Sequence, residues 1–193
     1  MQVPYQLYVH MKNPRLQLPP PEESEQGARL SMQNAHRHAA CAELLAAKEF
    51  YENAVAHLVL AVEEAAKSLY LWFHSVGVNL SKGGLQQALR NHKVRLDIAS
   101  TALLFAWMRP LHIAKFLHIG PVSENDLQRI VADYSVSNED IAWLKSANNR
   151  KQLGLYVDYG DEKWRTPTEL TQADYDQAKP LVDRILKDIS WGT

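Results

Sequence analysis

Three groups of side chains in this sequence have the types and spacing that chemistry needs. Glu63, Glu64 and Lys67 lie in the stretch AVEEAAKSL, where Glu63 to Lys67 is an i,i+4 pair and Glu64 to Lys67 an i,i+3 pair on a helix. On a solvated face such pairs are worth only ~0.3–0.5 kcal/mol. The apolar neighbours offer a second reading, in which these carboxylates are partly desolvated and need donors from a neighbouring helix or chain. His92 is the natural donor, because Leu89 and Leu96 flank it one turn away on either side. A buried imidazole left unpaired costs ~1–3 kcal/mol, and a carboxylate of the EExxK group would satisfy it. So held, His92 is either a strut that fixes helix register or a proton carrier. Arg90, Lys93 and Arg95 surround it, with Lys82 upstream, and this dense basic cluster could hold a phosphate on its outer side.

The third group is NNRKQLGLYVDYGDEKW. Arg150, Lys151, Tyr156, Asp158, Tyr159, Lys163 and Trp164 mix cations with aromatic rings, the combination with which proteins hold single-stranded RNA. The bland reading is a lid or strut, since Leu153, Leu155 and Val157 alternate in a way that could pin the segment onto a core. Other chemistry is not written here: the chain has no phosphate-cradling Gly-rich loop, no HExxH, no EF-hand loop, no paired cysteines and no Gly-x-Ser-x-Gly elbow. His36 and His38 would stand about 200° apart on a helix and could not chelate one ion together. Neither a metal nor a cofactor is expected.

The elements that must position these groups are helical. Residues 1–27 are Pro-rich and polar and read as an arm, and residues 28–193 read as one helical bundle domain. From Ala28 to Phe73 there is neither Gly nor Pro, and the Lys48, Glu49 and Phe50 region is a plausible corner between two antiparallel helices. Tyr51, Val55, Leu58, Val62, Ala65, Leu69, Trp72 and Val76 recur at spacings of four and three, which lays a core seam along the second helix. Its back carries Asn53, His57, Leu60, Glu64, Lys67 and Leu71, a mixed strip suited to a partner subunit or to the last helix.

A third helix is predicted over residues 85–108, with His92 on its core stripe beside Leu85, Leu89, Leu96, Ala99, Leu103 and Ala106, stopped by Arg109-Pro110. Capping boxes at Ser123 with Asp126 and Ser137 with Asp140 start two shorter helices, the second running toward Arg150. GLYVDYGDEKW then reads as an extended excursion. A final helix begins at Thr171, capped with Asp174, and presents Leu181, Val182, Ile185, Leu186 and Ile189, with Pro180 expected to kink or restart it. The fold class is therefore all-α, an antiparallel bundle of about five or six helices with a short extended GLYVDY segment before the last.

Composition bounds the function. With 193 residues, 46% hydrophobic and 22% charged, the chain can bury one sizeable core, and disorder as its dominant state is excluded. Its 21 Lys plus Arg against 22 Asp plus Glu leave a formal charge of -1, so no global cationic field exists and DNA is not an expected partner. The single cysteine, Cys41, cannot form an internal disulfide, and the first residues lack the apolar run of a signal peptide. Ionisable groups in the second helix would each cost ~2.5–3.5 kcal/mol at a bilayer centre, so it is read as a buried helix and no membrane span. A cytoplasmic protein is the expectation.

Taken together, ELLAAKEFYENAVAHLVLAVEEAAKSL, then RNHK, then NRKQLGLYVDY with a following W-x-x-P resemble the AbiV family of abortive infection proteins over roughly residues 35–189. Those are placed among the HEPN domains, helical bundles that often dimerise and often act as metal-independent ribonucleases. The resemblance implies phage defence in a bacterial cytoplasm, and the mixed back strip of the second helix predicts a homodimer. It offers Glu63, Glu64, Lys67, His92, Lys93, Arg150, Tyr156 and Asp158 as the family's polar positions. Nuclease-competent HEPN domains carry Arg, four to six residues, then His; here Arg150 is followed after five residues by Tyr156, whose reference pKa of about 10 makes a poor base. Arg29 and His36 match that spacing literally but on the first helix, at the wrong end of the fold.

Two functions follow. One is a non-enzymatic interaction module that meets a phage protein, RNA or the translation machinery through Glu63, Glu64, Lys67, Arg90, Lys93, Lys151, Asp158 and Tyr159. The alternative is a metal-independent endoribonuclease in which Arg150 stabilises phosphoryl charge and His92 or Tyr156 handles the proton.

Overall fold

The computed structural model describes residues 19–77, 86, 87, 89–96, 99, 137–160 and 162–189. Helix α1 spans Pro21–Ala46 and helix α2 spans Tyr51–Ser75. The first helix thus begins inside the stretch expected to be an arm. Pro21 supplies the physical reason: at the first helical position its fixed φ suits the helix and its missing N–H is not needed, while Glu22 and Glu23 oppose the positive end of the helix dipole. The Ser24 hydroxyl, fully buried, lies 3.1 Å from the Pro20 carbonyl and 2.9 Å from Nδ1 of His74, which fastens the start of α1 to the end of α2.

The corner falls where expected. Glu49 adopts φ 62°, its N–H bonds the Ala46 carbonyl at 2.9 Å, and the Phe50 N–H bonds the Leu45 carbonyl at 3.0 Å. This nested pair is a Schellman cap, which satisfies the last carbonyls of α1 and reverses the chain.

Along α1, Ala28, Met32, Ala35, Ala39 and Ala42 are buried at alternating spacings of four and three. Their small side chains let α1 lie close against α2, and the Ser68 hydroxyl donates across the seam to the Ala28 carbonyl at 2.7 Å. Buried residues go almost all the way round α2, including Val55, Leu58, Val59, Val62, Ala65 and Leu69, because it is the central rod of the bundle. Val76, expected on the seam, lies past the last turn of α2 and is exposed.

Helix α3, Asn138–Leu155, and helix α4, Gln172–Ile189, both pack on α2. The Ser137 capping box is present in both directions, each bond 3.0 Å. Trp143, Leu144 and Ala147 of α3 and Leu181, Val182, Ile185, Leu186 and Ile189 of α4 complete the core. Pro180 neither stops nor restarts α4, which runs through it as one element. The predicted Ser123 helix lies outside the described residues.

Between α3 and α4 the excursion is a small β-hairpin, β1 Asp158–Gly160 and β2 Lys163–Arg165, with Tyr159 opposite Trp164 and Glu162 at φ 62° in the turn. Gly154 and Leu155 are still helical, so the extended part starts at Tyr156 rather than at Gly154. A 3-10 turn, Pro167–Glu169, leads into α4. Among the described residues no helix is long and apolar enough to cross a membrane.

Candidate functional site

The polar centre of the molecule is Glu63, whose side chain is 1% exposed in the middle of α2. Lys151 of α3 reaches it with Nζ 2.5 Å from Oε1 and is itself almost fully buried. His92 approaches Oε2 through Nδ1, and Nη1 of Arg95 stands 3.7 Å from that oxygen and 3.7 Å from Oε1 of Glu64. Glu64 has its own partner one turn on, Lys67, with Nζ 2.6 Å away. Two carboxylates are thus surrounded by three fixed cations and one imidazole, drawn from α2, α3 and the segment around residue 92. Desolvating Glu63 would cost several kcal/mol without such company.

A carboxylate of the EExxK group does meet His92, and it is Glu63. One expectation changes: His92 is not a core residue, because its side chain is 54% exposed. Just before it, Asn91 Oδ1 accepts from the backbone N–H of Lys93 at 3.0 Å and of Val94 at 3.4 Å and caps the turn over 92–96, while the backbone bonds run on through Asn91, from its N–H to the Gln87 carbonyl at 2.8 Å and from the Arg95 N–H to its own carbonyl at 3.2 Å. An asparagine side chain competes with the helix for backbone donors in this way. His92 stays on the stripe of Leu96 and Ala99, with Nδ1 on Glu63 and its side chain half exposed at the rim, while Leu96 and Ala99 lie in the core and Arg95 is buried. Arg90 and Lys93 are exposed, as a basic outer face requires.

The basic residues of the third group behave differently from expectation. Lys151, read as a surface cation, is sequestered by Glu63. Arg150 is tied by Nη1 to Oδ1 of Asp174 at 2.6 Å and by Nε to the Ser146 hydroxyl at 3.1 Å. Asp174 also accepts from the Thr171 N–H and hydroxyl, each at 2.9 Å, so Arg150 is built into the cap of α4. Burial pushes the Asp174 carboxyl up, but the hydrogen bonds from Thr171 and Arg150 outweigh it and hold its pKa below the ordinary value. Tyr156 follows α3 in extended conformation and is exposed, as is Tyr159, whose ring meets Trp164 edge-on at 5.1 Å. The side chain of Asp158 lies outside the described set.

Part of the back strip of α2 is covered by this chain itself. Asn53 donates to the Gly154 carbonyl of α3 at 2.9 Å, and Leu71 packs on Ala28 of α1. His57 meets His38 of α1 with Nδ1 atoms 3.1 Å apart, one donating to the other. Burial lowers the pKa of both imidazoles; His38 adds to the lowering at His57, while Glu64 and Glu63 pull His38 the other way. Sequence reasoning missed this pair and the Asp174 partner of Arg150. Only the place of His57 on the strip hinted at the first, and a partner on a distant helix leaves no local signal. Among the described residues no group of three His, Cys, Asp or Glu is arranged to hold a metal ion.

The match of a HEPN-type family model makes this helical bundle, with its buried carboxylate on the central rod, a HEPN-type domain. The family model described as AbiV matches residues 23–187, and the chain belongs to the AbiV family. Membership points to abortive infection, a form of antiphage defence. No curated protein and no solved structure matches the chain.

Proposed function

We propose that this AbiV-family chain serves abortive infection by binding rather than by catalysis, as a cytoplasmic homodimer that engages a phage protein, RNA or the translation machinery. The observation that carries the reading is the state of Arg150. Its guanidinium is committed to Asp174 and Ser146, and the residue at the nuclease spacing is Tyr156 instead of histidine. An arginine that completes a helix cap supports the fold, and a phenol at neutral pH is a weak proton acceptor. The charged cluster around Glu63 then fixes the register of three elements, and the exposed hairpin and the Arg90 and Lys93 face are left to make contacts.

One observation favours the alternative, a metal-independent endoribonuclease: His92 is half-exposed and backed by a buried carboxylate, the arrangement that orients a general base. Two measurements separate the readings. Cells expressing the chain are challenged with phage, and pure protein in excess is incubated with single-stranded RNA in EDTA. Protection with RNA left intact is the expected result. RNA cleavage that His92→Ala abolishes at unchanged melting temperature would overturn the binding reading in favour of the enzyme.

A further inference from the structure

The hairpin is built inside out. Tyr159 and Trp164 are directly paired across β1 and β2, and strand alternation puts Val157 on the same face. A two-stranded ribbon is marginal by itself and ordinarily turns its apolar face to a core. Here that face looks outward: Val157 is 61% exposed, Tyr159 58% and Trp164 69%, with Tyr156 at 57% beside them. Tyrosine and tryptophan lose little conformational entropy on binding, which makes them effective interface anchors.

The charge of the segment that carries these rings separates the two classes of macromolecule that could cover them. Over residues 156–169 the carboxylates are Asp158, Asp161, Glu162 and Glu169 and the cations only Lys163 and Arg165, a net charge of -2. The two cations just upstream, Arg150 and Lys151, are held by Asp174 and Glu63 and face inward. Stacking on aromatic rings gives ~1–3 kcal/mol per base, but RNA binding also needs cations for its phosphates. An aromatic patch carried on a segment of net negative charge disfavours phosphate and complements a basic protein surface.

We propose that the hairpin docks a protein partner whose surface presents an apolar pocket ringed by lysine or arginine. The proposal rests on the interaction-module reading above and narrows its partner to protein at this surface. Probes are a short labelled peptide of alternating leucine and lysine, its leucine and glutamate counterpart, and labelled oligouridylate, each titrated by fluorescence anisotropy against the full chain at physiological salt. The lysine peptide should bind, roughly tenfold more weakly to Trp164→Ser and to Tyr159→Ser, and more weakly again to Glu162→Lys combined with Glu169→Lys. All these side chains are exposed, so melting temperatures should stay unchanged and loss of fold is checked directly. Equal binding by Trp164→Ser, preference for oligouridylate or for the glutamate peptide, or no binding at all would overturn the inference. Phage challenge distinguishes the two levels. Full protection by Trp164→Ser overturns hairpin docking alone, whereas no protection by the wild-type chain, with hairpin-dependent peptide binding intact, overturns the defence reading alone.

Discussion

Nζ of Lys151 lies 2.5 Å from Oε1 of Glu63, across the contact between α3 and α2, with both side chains almost wholly out of water. Because ion pairs of this kind are costly to desolvate, their stabilising contribution shows only when one member is taken away.

Lys151→Met should lower stability in urea by about 3 kcal/mol, toward the low end for a broken buried pair because His92 and Arg95 still face Glu63. Glu63→Gln should cost a similar amount by leaving Lys151 unpaired. The combined Glu63→Gln and Lys151→Met variant should recover much of the loss. Strictly additive losses in this double-mutant cycle would refute the pairing.

Gly154 gives a steric test. A Cβ there would lie 2.3 Å from the Glu52 carbonyl oxygen and 3.0 Å from Cβ of Ala56, so α3 and α2 could not keep their separation. Gly154→Ala should destabilise by about 1–3 kcal/mol by overpacking, despite a gain in helix propensity of about 1 kcal/mol. The Asn53 bond to the Gly154 carbonyl should loosen with it, seen as faster exchange of nearby amide protons. A rise in melting temperature would contradict this close approach.

The two half-buried imidazoles set an acid dependence. Since burial lowers the pKa values of His38 and His57 in the folded state, the unfolded chain takes up protons first as pH falls through about 6.5. Stability should therefore decline from about pH 6.5 downward, until the folded-state values are passed. Asp174 acts in a separate, lower window. Its lowered pKa contributes stability that is present above its ordinary value and lost as pH falls through the folded one. Denaturation midpoints measured across this range should show both declines, and His38→Gln with His57→Gln should remove the upper one only. An unchanged upper decline in that variant would exclude the histidine pair as its source.

Local signals in the sequence determined the helices and their order. The spacings of four and three placed the buried seam of α2, the Lys48 to Phe50 corner became a Schellman cap, and the Ser137 and Thr171 caps start α3 and α4 within a residue of the expected positions. These features depend on residues a few positions apart, so the chain carries them in its own text. It also singled out Glu63, Glu64, Lys67 and His92, because polar groups in apolar surroundings must find partners, whereas it read Arg95, Arg150 and Lys151 as cations for phosphate or RNA, which the fold sets against carboxylates instead.

Which partner each one takes was decided only by the fold. Lys151 and Glu63 are 88 positions apart and Arg150 and Asp174 are 24 apart, and no periodicity links them. His92 shows the limit most clearly: helical spacing put it in the core, yet in the packed bundle its side chain is 54% exposed at the rim, with only Nδ1 turned to Glu63. Pairing across helices depends on interaxial distance and rotation, which alanine and glycine contacts such as Gly154 against Glu52 set, and those are properties of packed surfaces rather than of any one segment.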